Sequence, residues 1–156
     1  MADVSAEIVS LSPARVDAWS ALRHDLWPDA SVAEHAREAA HLIAQADACC
    51  VLLATCKDEF VGVAEAALRR DYVNGCDTSP LLPVAFLEGF FVRPSFRRRG
   101  IARLQCERIA AWARRQGARE FASGALVDNT ASHAMHRALG FSGTQRVVFF
   151  RKDLSP

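Results

Sequence analysis

Residues 85–116 read AFLEGFFVRPSFRRRGIARLQCERIAAWARRQ, and the architecture follows from the change of rhythm inside this stretch. Ala85 to Val92 is short, apolar and β-compatible, and Pro94 ends it because a proline cannot donate to a strand ladder. From Ile101 to Gln116 the period becomes helical. Ile101, Ala102, Cys106, Ile109 and Ala113 share one arc, Arg103, Glu107 and Arg114 share the opposite one, and Gly117 supplies the stop. The stretch is a strand, a basic turn and a helix.

Working outward, Ser12-Pro13 reads as an N-cap followed by a proline at the first helical position, with Val16, Trp19, Leu22 and Leu26 at helical spacing up to Pro28. Ser31 with Glu34 predicts a capping box opening a second helix to about Ala46. Two helices thus precede the sheet. Cys50–Cys56 and Phe60–Leu68, joined by Lys57-Asp58-Glu59, predict a hairpin, and residues 71–83, with Asn74-Gly75 and two prolines, predict a loop. Glu120–Ala125 reads as a strand, Asn129 as the cap of a helix to Leu139 ended by Gly140, and Val147–Lys152 as a last strand. This order predicts an α/β (α+β) fold with a mixed sheet and at least one parallel crossover, and residues 1–156 read as one domain.

A net charge of +1 gives no global pull toward nucleic acid or anionic lipid, so charge must act through local clusters. The five cysteines are odd in number and lack C-x-x-C or zinc-finger spacing, which argues against a disulfide framework and predicts no metal. Acids at Asp3 and Glu7 stand where a signal peptide needs bases, and no apolar run approaches the ~20 residues of a membrane span. The expectation is a reduced, cytoplasmic protein that does not bind membranes.

Between Gly89 and Cys106 there is no acid, while Arg93, Arg97, Arg98, Arg99 and Arg103 cluster about the strand-to-helix junction. Free backbone N–H groups, the positive end of the helix dipole and a glycine together make an anion site. A solvated basic turn or a nucleic-acid patch uses the same residues. Two motifs then carry a resemblance: Arg97-x-x-Gly100-x-Ala102 after an apolar strand, and Asn129-x-x-Ser132-x-x-Met135-His136-x-x-x-Gly140-Phe141 downstream. Together they resemble the GNAT N-acetyltransferase superfamily, which implies a single-domain fold with helices on both sheet faces and acetyl-CoA as cosubstrate. The resemblance implies that Arg97, Arg98, Arg99, Gly100, Ile101, Ala102 and Arg103 hold the CoA pyrophosphate. It further implies that Phe90, Phe91 and Val92 border pantetheine and the acetyl carbonyl, and that Asn129 and His136 touch the cofactor, His136 standing where the family usually has tyrosine.

A narrower resemblance rests on Leu26-Trp27-Pro28-Asp29, Asp71-Tyr72-Val73-Asn74-Gly75, Phe86-Leu87-Glu88-Gly89, Asp128-Asn129 and Phe149-Phe150-Arg151-Lys152. These segments are similar to those of aminoglycoside 6′-N-acetyltransferases, and the apolar last strand and many relatives point to a homodimer. Glu88 lies in an apolar strand, on the side of Phe86 and Phe90 by alternation. It reads either as an arginine's ion-pair partner or as the base that takes a proton from the acceptor. An ammonium with a pKa near ~10 is neutral in on the order of one molecule in a thousand at pH 7, so a base is useful. Glu65 is the competing carboxylate. His136 has a suitable pKa range to protonate the departing thiolate, or is a packing histidine.

For a polycationic acceptor the candidate wall is Trp27, Tyr72, Glu88, Asp128 and Gln145; Trp27 also reads as a core aromatic and Asp128 as a helix cap. The pattern departs from its relatives twice: an aspartate commonly follows the serine of the strand, and a glutamate precedes the arginine before the last strand, where this chain has Ser123-Gly124 and Gln145-Arg146. The open alternatives are an acetyltransferase for a polyamine, another small amine or a protein amine, and a nucleic-acid module built on Arg97–Arg99. The near-neutral charge and the lack of interleaved stacking aromatics disfavour nucleic acid.

Overall fold

The computed structural model describes residues 5–77 and 81–155; the N-terminal Met1–Val4 and residues 78–80 of the expected loop lie outside them. Five strands, β1 (Ala6–Ser10), β2 (Cys49–Cys56), β3 (Glu59–Arg69), β4 (Val84–Val92) and β5 (Glu120–Ser123), form one sheet in sequence order. The first four are antiparallel neighbours, and β4 and β5 are parallel. A parallel joint needs a crossover, which α3 (Ile101–Arg115) provides. Helices α1 (Val16–Leu26) and α2 (Val32–Ala44) lie between β1 and β2 in the chain, and α4 (Thr130–Ala138) follows β5.

Alternation along β2 divides the core. Val51 and Leu53 pack with Trp19, Leu22 and Ala39 of α1 and α2, whereas Cys50 and Leu52 pack with Ile109, Trp112 and Ala113 of α3. Helices therefore cover both faces. The capping box forms as expected: Ser31 Oγ accepts from the Glu34 amide at 3.2 Å, and Glu34 Oε2 accepts from the Ser31 amide at 2.7 Å. Ser12 makes no such cap; Pro13–Arg15 form a 3₁₀ turn that leads into α1.

Two expectations about strands are corrected. Residues 6–10 pair with β2 as an edge strand, so a strand precedes the two helices. Conversely, Val147–Lys152 forms no strand, and Val148, Phe149 and Phe150 are 74, 86 and 93 % exposed. The apolar pattern there is real, but a strand exists only when its backbone finds a neighbour, and this segment meets none within the described chain.

One irregularity in β4 places everything that follows. Glu65 pairs with Gly89 and Ala66 with Leu87, so Glu88 is an extra residue in the ladder, a β-bulge. Before it, Ala85 and Leu87 face α3. After it, Phe90 and Val92 face that side, while Phe91 joins the α1–α2 core. The expected alternation of Phe86, Glu88 and Phe90 on one side thus fails at Phe90, because the inserted residue reverses the parity. Gly89 turns toward α1, where an added Cβ would press into the Trp27 ring, 2.8 Å from Cζ2, and lie 3.1 Å from Leu26 Cδ2. Gly89→Ala should therefore cost about 1–3 kcal/mol of stability through overpacking. A lower urea midpoint at constant m-value is the expected outcome; an unchanged midpoint would show that Trp27 moves aside freely.

Candidate active site

β5 accompanies β4 only from Val84 to Leu87, its last partner being Ser123. Beyond the bulge, β4 keeps β3 on one edge and has no strand on the other among the described residues. The strand edge at Gly89–Val92 is thus free to accept an extended ligand. It leads to the turn of residues 93–100.

That turn suits an anion. Gly100 is the N-cap of α3 in the left-handed region (φ 80°), no side chain caps the first-turn amides, and the first turn has no acid. Arg98 also takes a positive φ of 60°, a conformation that costs a non-glycine residue on the order of 1 kcal/mol and turns successive amides to one side. Three arginine side chains brace the turn. Arg97 Nε donates to Val92 O at 2.8 Å, Arg99 donates to Ser95 O at 3.0 Å while lying over Phe96, and Arg103 donates to Ala138 O at 2.9 Å at the end of α4. No carboxylate neutralises Arg97, Arg98, Arg99 or Arg103 among the described residues. Arg93 differs, pairing with Glu59 and Asp25. Free amides, permissive backbone and unneutralised arginines fit a pyrophosphate.

At the bulge, Glu88 is 36 % exposed and is held by Arg69, whose Nη2 donates to Oε1 and Oε2 at 2.9 Å each. The Arg69 guanidinium lies 3.8 Å from the centre of the Phe86 ring. Behind Gly89, Trp27 packs half-buried under Arg23, whose guanidinium stands 5.0 Å from the Trp27 ring and 4.9 Å from that of Trp19. Trp27 and Glu88 are thereby brought to the same bulge. Glu65 has a different situation: it is 5 % exposed, accepts from Trp19 Nε1 at 2.8 Å, and has Arg23 Nε at 3.2 Å. Burial pushes its carboxyl pKa up, against the opposing pull of Arg23 and the Trp19 N–H. It is enclosed under α1 and offers no open face to an acceptor.

Tyr72 lies in the loop after β3 and is 74 % exposed. Val73 anchors this loop beside Val84, Ala122 and Phe86, and Glu120 Oε2 accepts from the Asp77 amide at 2.8 Å. Gly75 abuts Thr144, so the segment carrying Gln145 runs beside this loop. Asp128 and Gln145 are both exposed, and Asp128 belongs to the turn that starts α4. Asn129 caps α4 by accepting from the Ser132 amide at 3.0 Å.

His136 is held at both ring nitrogens. Nδ1 is 2.7 Å from Ser132 O, and since a carbonyl only accepts, Nδ1 carries the proton. Nε2 of the neutral ring then accepts from Ser123 Oγ at 2.8 Å, and Phe141 packs edge-on against the imidazole. Ser123 is the last β5 residue beside β4, so this pair sits where the strands part. Sequence reasoning missed Arg69 and Ser123, because neither partner is adjacent in the chain to the residue it serves. Burial pushes the thiols of Cys50 and Cys106 up to about 11, so neither is a thiolate near neutrality.

Residues 19–141 match the acetyltransferase (GNAT) family. The chain belongs to that family. Within it, the chain is 45% identical to aminoglycoside N(6′)-acetyltransferase type 1 of Acinetobacter baumannii, over 94% of this chain and 98% of that protein. It is 41% identical to the protein of the same name from Salmonella typhimurium, over 94% and 98% of the two. A solved structure of AAC(6′)-Iy in complex with the bisubstrate analogue CoA-S-monomethyl-acetylneamine superposes with a TM-score of 0.88 at 40% identity, covering 96% of this chain and 99% of that one. In this GNAT chain the open β4 edge leads directly into the turn that starts α3.

Gly100 gives the direct test of the turn. Nothing lies within 4 Å of a Cβ added there, so alanine is resisted by φ alone, at roughly 1–2 kcal/mol. Gly100→Ala should either lower stability by that amount or, if the turn relaxes, weaken CoA binding by about fivefold to thirtyfold. Calorimetric titration with CoA beside a thermal melt distinguishes the two; no change in either would remove the turn from the site.

Proposed function

We propose that this GNAT protein transfers the acetyl group of acetyl-CoA to the 6′-amine of an aminoglycoside and thereby confers resistance to it. The observation that carries this reading is the exposed carboxylate of Glu88, set in the bulge where β4 loses β5 as a neighbour, one strand-length from an uncapped basic helix start. A cation seat and an anion seat stand at the two ends of one strand edge. The names of the curated relatives and the CoA-aminoglycoside analogue bound to the solved relative support the same two ligands.

Acetyl-CoA, when bound, supplies an acyl group on a sulfur leaving group. The chain's own residues supply the rest. The α3 amides with Arg97–Arg99 and Arg103 hold the pyrophosphate, and Asn129, which caps α4, is assigned to cofactor contact by its match to the family motif. Arg93 N–H donates across to Val61 O, so by alternation the Phe91 N–H faces β3 and the Val92 N–H faces the free edge, where it would stabilise a developing oxyanion. Glu88 orients the acceptor ammonium and takes its proton, directly or through water. In its doubly protonated form His136 donates from Nε2 to Ser123 Oγ, so that as the Ser123 hydroxyl proton passes to the departing thiolate the Nε2 proton replaces it and the ring returns to the neutral Nδ1–H form. Trp27 and Tyr72 give ring surface for sugar faces and ammonium groups, while Asp128 and Gln145 lie at the rim.

The same reading includes a dimer. Val148, Phe149 and Phe150 form an exposed apolar run, and the outer edge of β5 has no neighbour among the described residues. A second copy of this chain, laying that run along β5, would bury apolar surface and satisfy both backbones at once. All five cysteines are free, which supports a reducing, cytoplasmic setting. No helix of the described residues is long and apolar enough to cross a membrane.

Three outcomes are expected. Thiol release from acetyl-CoA should occur with kanamycin and fall to background with an aminoglycoside bearing a 6′-hydroxyl; equal rates would refute the regiochemistry. Glu88→Gln should lower kcat by about 10²–10⁴-fold with little change in acetyl-CoA affinity, as expected for loss of a general base; near wild-type turnover would move the base to water. Phe149→Asp with Phe150→Asp should convert a dimer to a monomer in sedimentation velocity, and a monomeric parent protein would rule out the exchanged strand.

A further inference from the structure

An arginine partner for Glu88 was one of the two readings of the sequence, and the structure identifies it as Arg69. Its guanidinium grips Glu88 with both carboxylate oxygens engaged and spreads on the Phe86 ring at 3.8 Å. Aromatic face below and carboxylate beside it form the ordinary cradle of a ligand cation. Here the cradle is filled by the chain itself. Both side chains are 36 % exposed, so the pair is exchangeable rather than locked in the core. Among the described residues Arg69 has no other carboxylate partner. A Cβ at Gly124 would meet only Phe86, 3.7 Å from Cζ, so position 124 places no side chain beside the ring that carries Arg69. An acid at this position would offer Arg69 a second partner.

We propose that Arg69 is an internal stand-in for the acceptor ammonium, occupying the cation seat on Glu88 until a polycation displaces it, so that it sets acceptor affinity and discriminates against weakly charged amines. The inference rests on the reading of Glu88 as that seat. An acceptor must win a competition against a tethered guanidinium, and several ammonium groups compete better than one. Arg69 is a positioning and specificity residue, acting through Glu88. With glycine at 124, Glu88 is neutralised in the resting protein.

Kanamycin binding, measured by calorimetry on the full chain, tests this in a mutant cycle. Arg69→Gln should tighten kanamycin about threefold to tenfold and lower its KM to match, with CoA affinity unchanged. Arg69→Lys, which keeps a cation on Glu88, should stay near the parent. In a Glu88→Gln background the gain from Arg69→Gln should shrink below twofold. In the unaltered protein the Nε–H resonance of Arg69 should shift on saturation with kanamycin, a readout independent of any variant's folding. Unchanged or weaker kanamycin binding by Arg69→Gln, a gain that persists without Glu88, or an unmoved resonance each overturns the stand-in. Glu88→Gln with parental turnover and affinity would instead overturn the reading of Glu88 itself.

Discussion

The inserted residue in β4 is the constraint on which the rest of this molecule hangs. A sheet with strict alternation would put Glu88 into a side-chain row, where an unpaired carboxylate is costly to bury. As an extra residue it stays on the side of Phe86, where Arg69 holds it partly exposed, and the parity of the strand reverses behind it. Three consequences share that cause. Phe90 and Val92 reach the α3 side and pack with Ile101, Gly89 opens room for Trp27, and β4 runs on past Ser123 with β3 on one edge and no strand on the other among the described residues. A groove bounded by free backbone, an aromatic and a carboxylate results from one added residue.

Charge is distributed along that groove with the same economy. At the α3 end, four arginines stand with no carboxylate among the described residues, and the side chains that brace the turn leave the helix amides uncovered. At the bulge end the two carboxylates have opposite situations. Glu65 is taken inward by Trp19 and Arg23 and serves the packing that supports Trp27. Glu88 is outward and held only by an exposed arginine. Position relative to the bulge separates a buried acid from an exposed one, since Glu65 faces Gly89 across the ladder only one residue away.

Much of this was legible in the chain. Ser31 and Glu34 announce a helix start because a capping box is a local bargain among four residues. Arg97–Ala102 announces an anion turn because amides, dipole and glycine are all contained in it. The edge strand at Ala6–Ser10 was illegible, as five residues of mixed pattern become a strand only by lying against β2. Val147–Lys152 failed in the opposite sense, carrying strand chemistry with no partner within the described chain. Alternation also misplaced Phe90, for a bulge has no dependable sequence signature.

What the sequence alone determined, then, is the run from β2 through α4 and the basic turn before α3, because each depends on residues close together in the chain. What only the tertiary structure decided is which charges are spent on one another. Arg69 and Glu88 are 19 positions apart, Trp19 and Glu65 are 46 apart, and Ser123 reaches His136 across 13. Pairings over such distances follow from strand register and helix docking, and these are set by burial of the whole core rather than by any local run of residues.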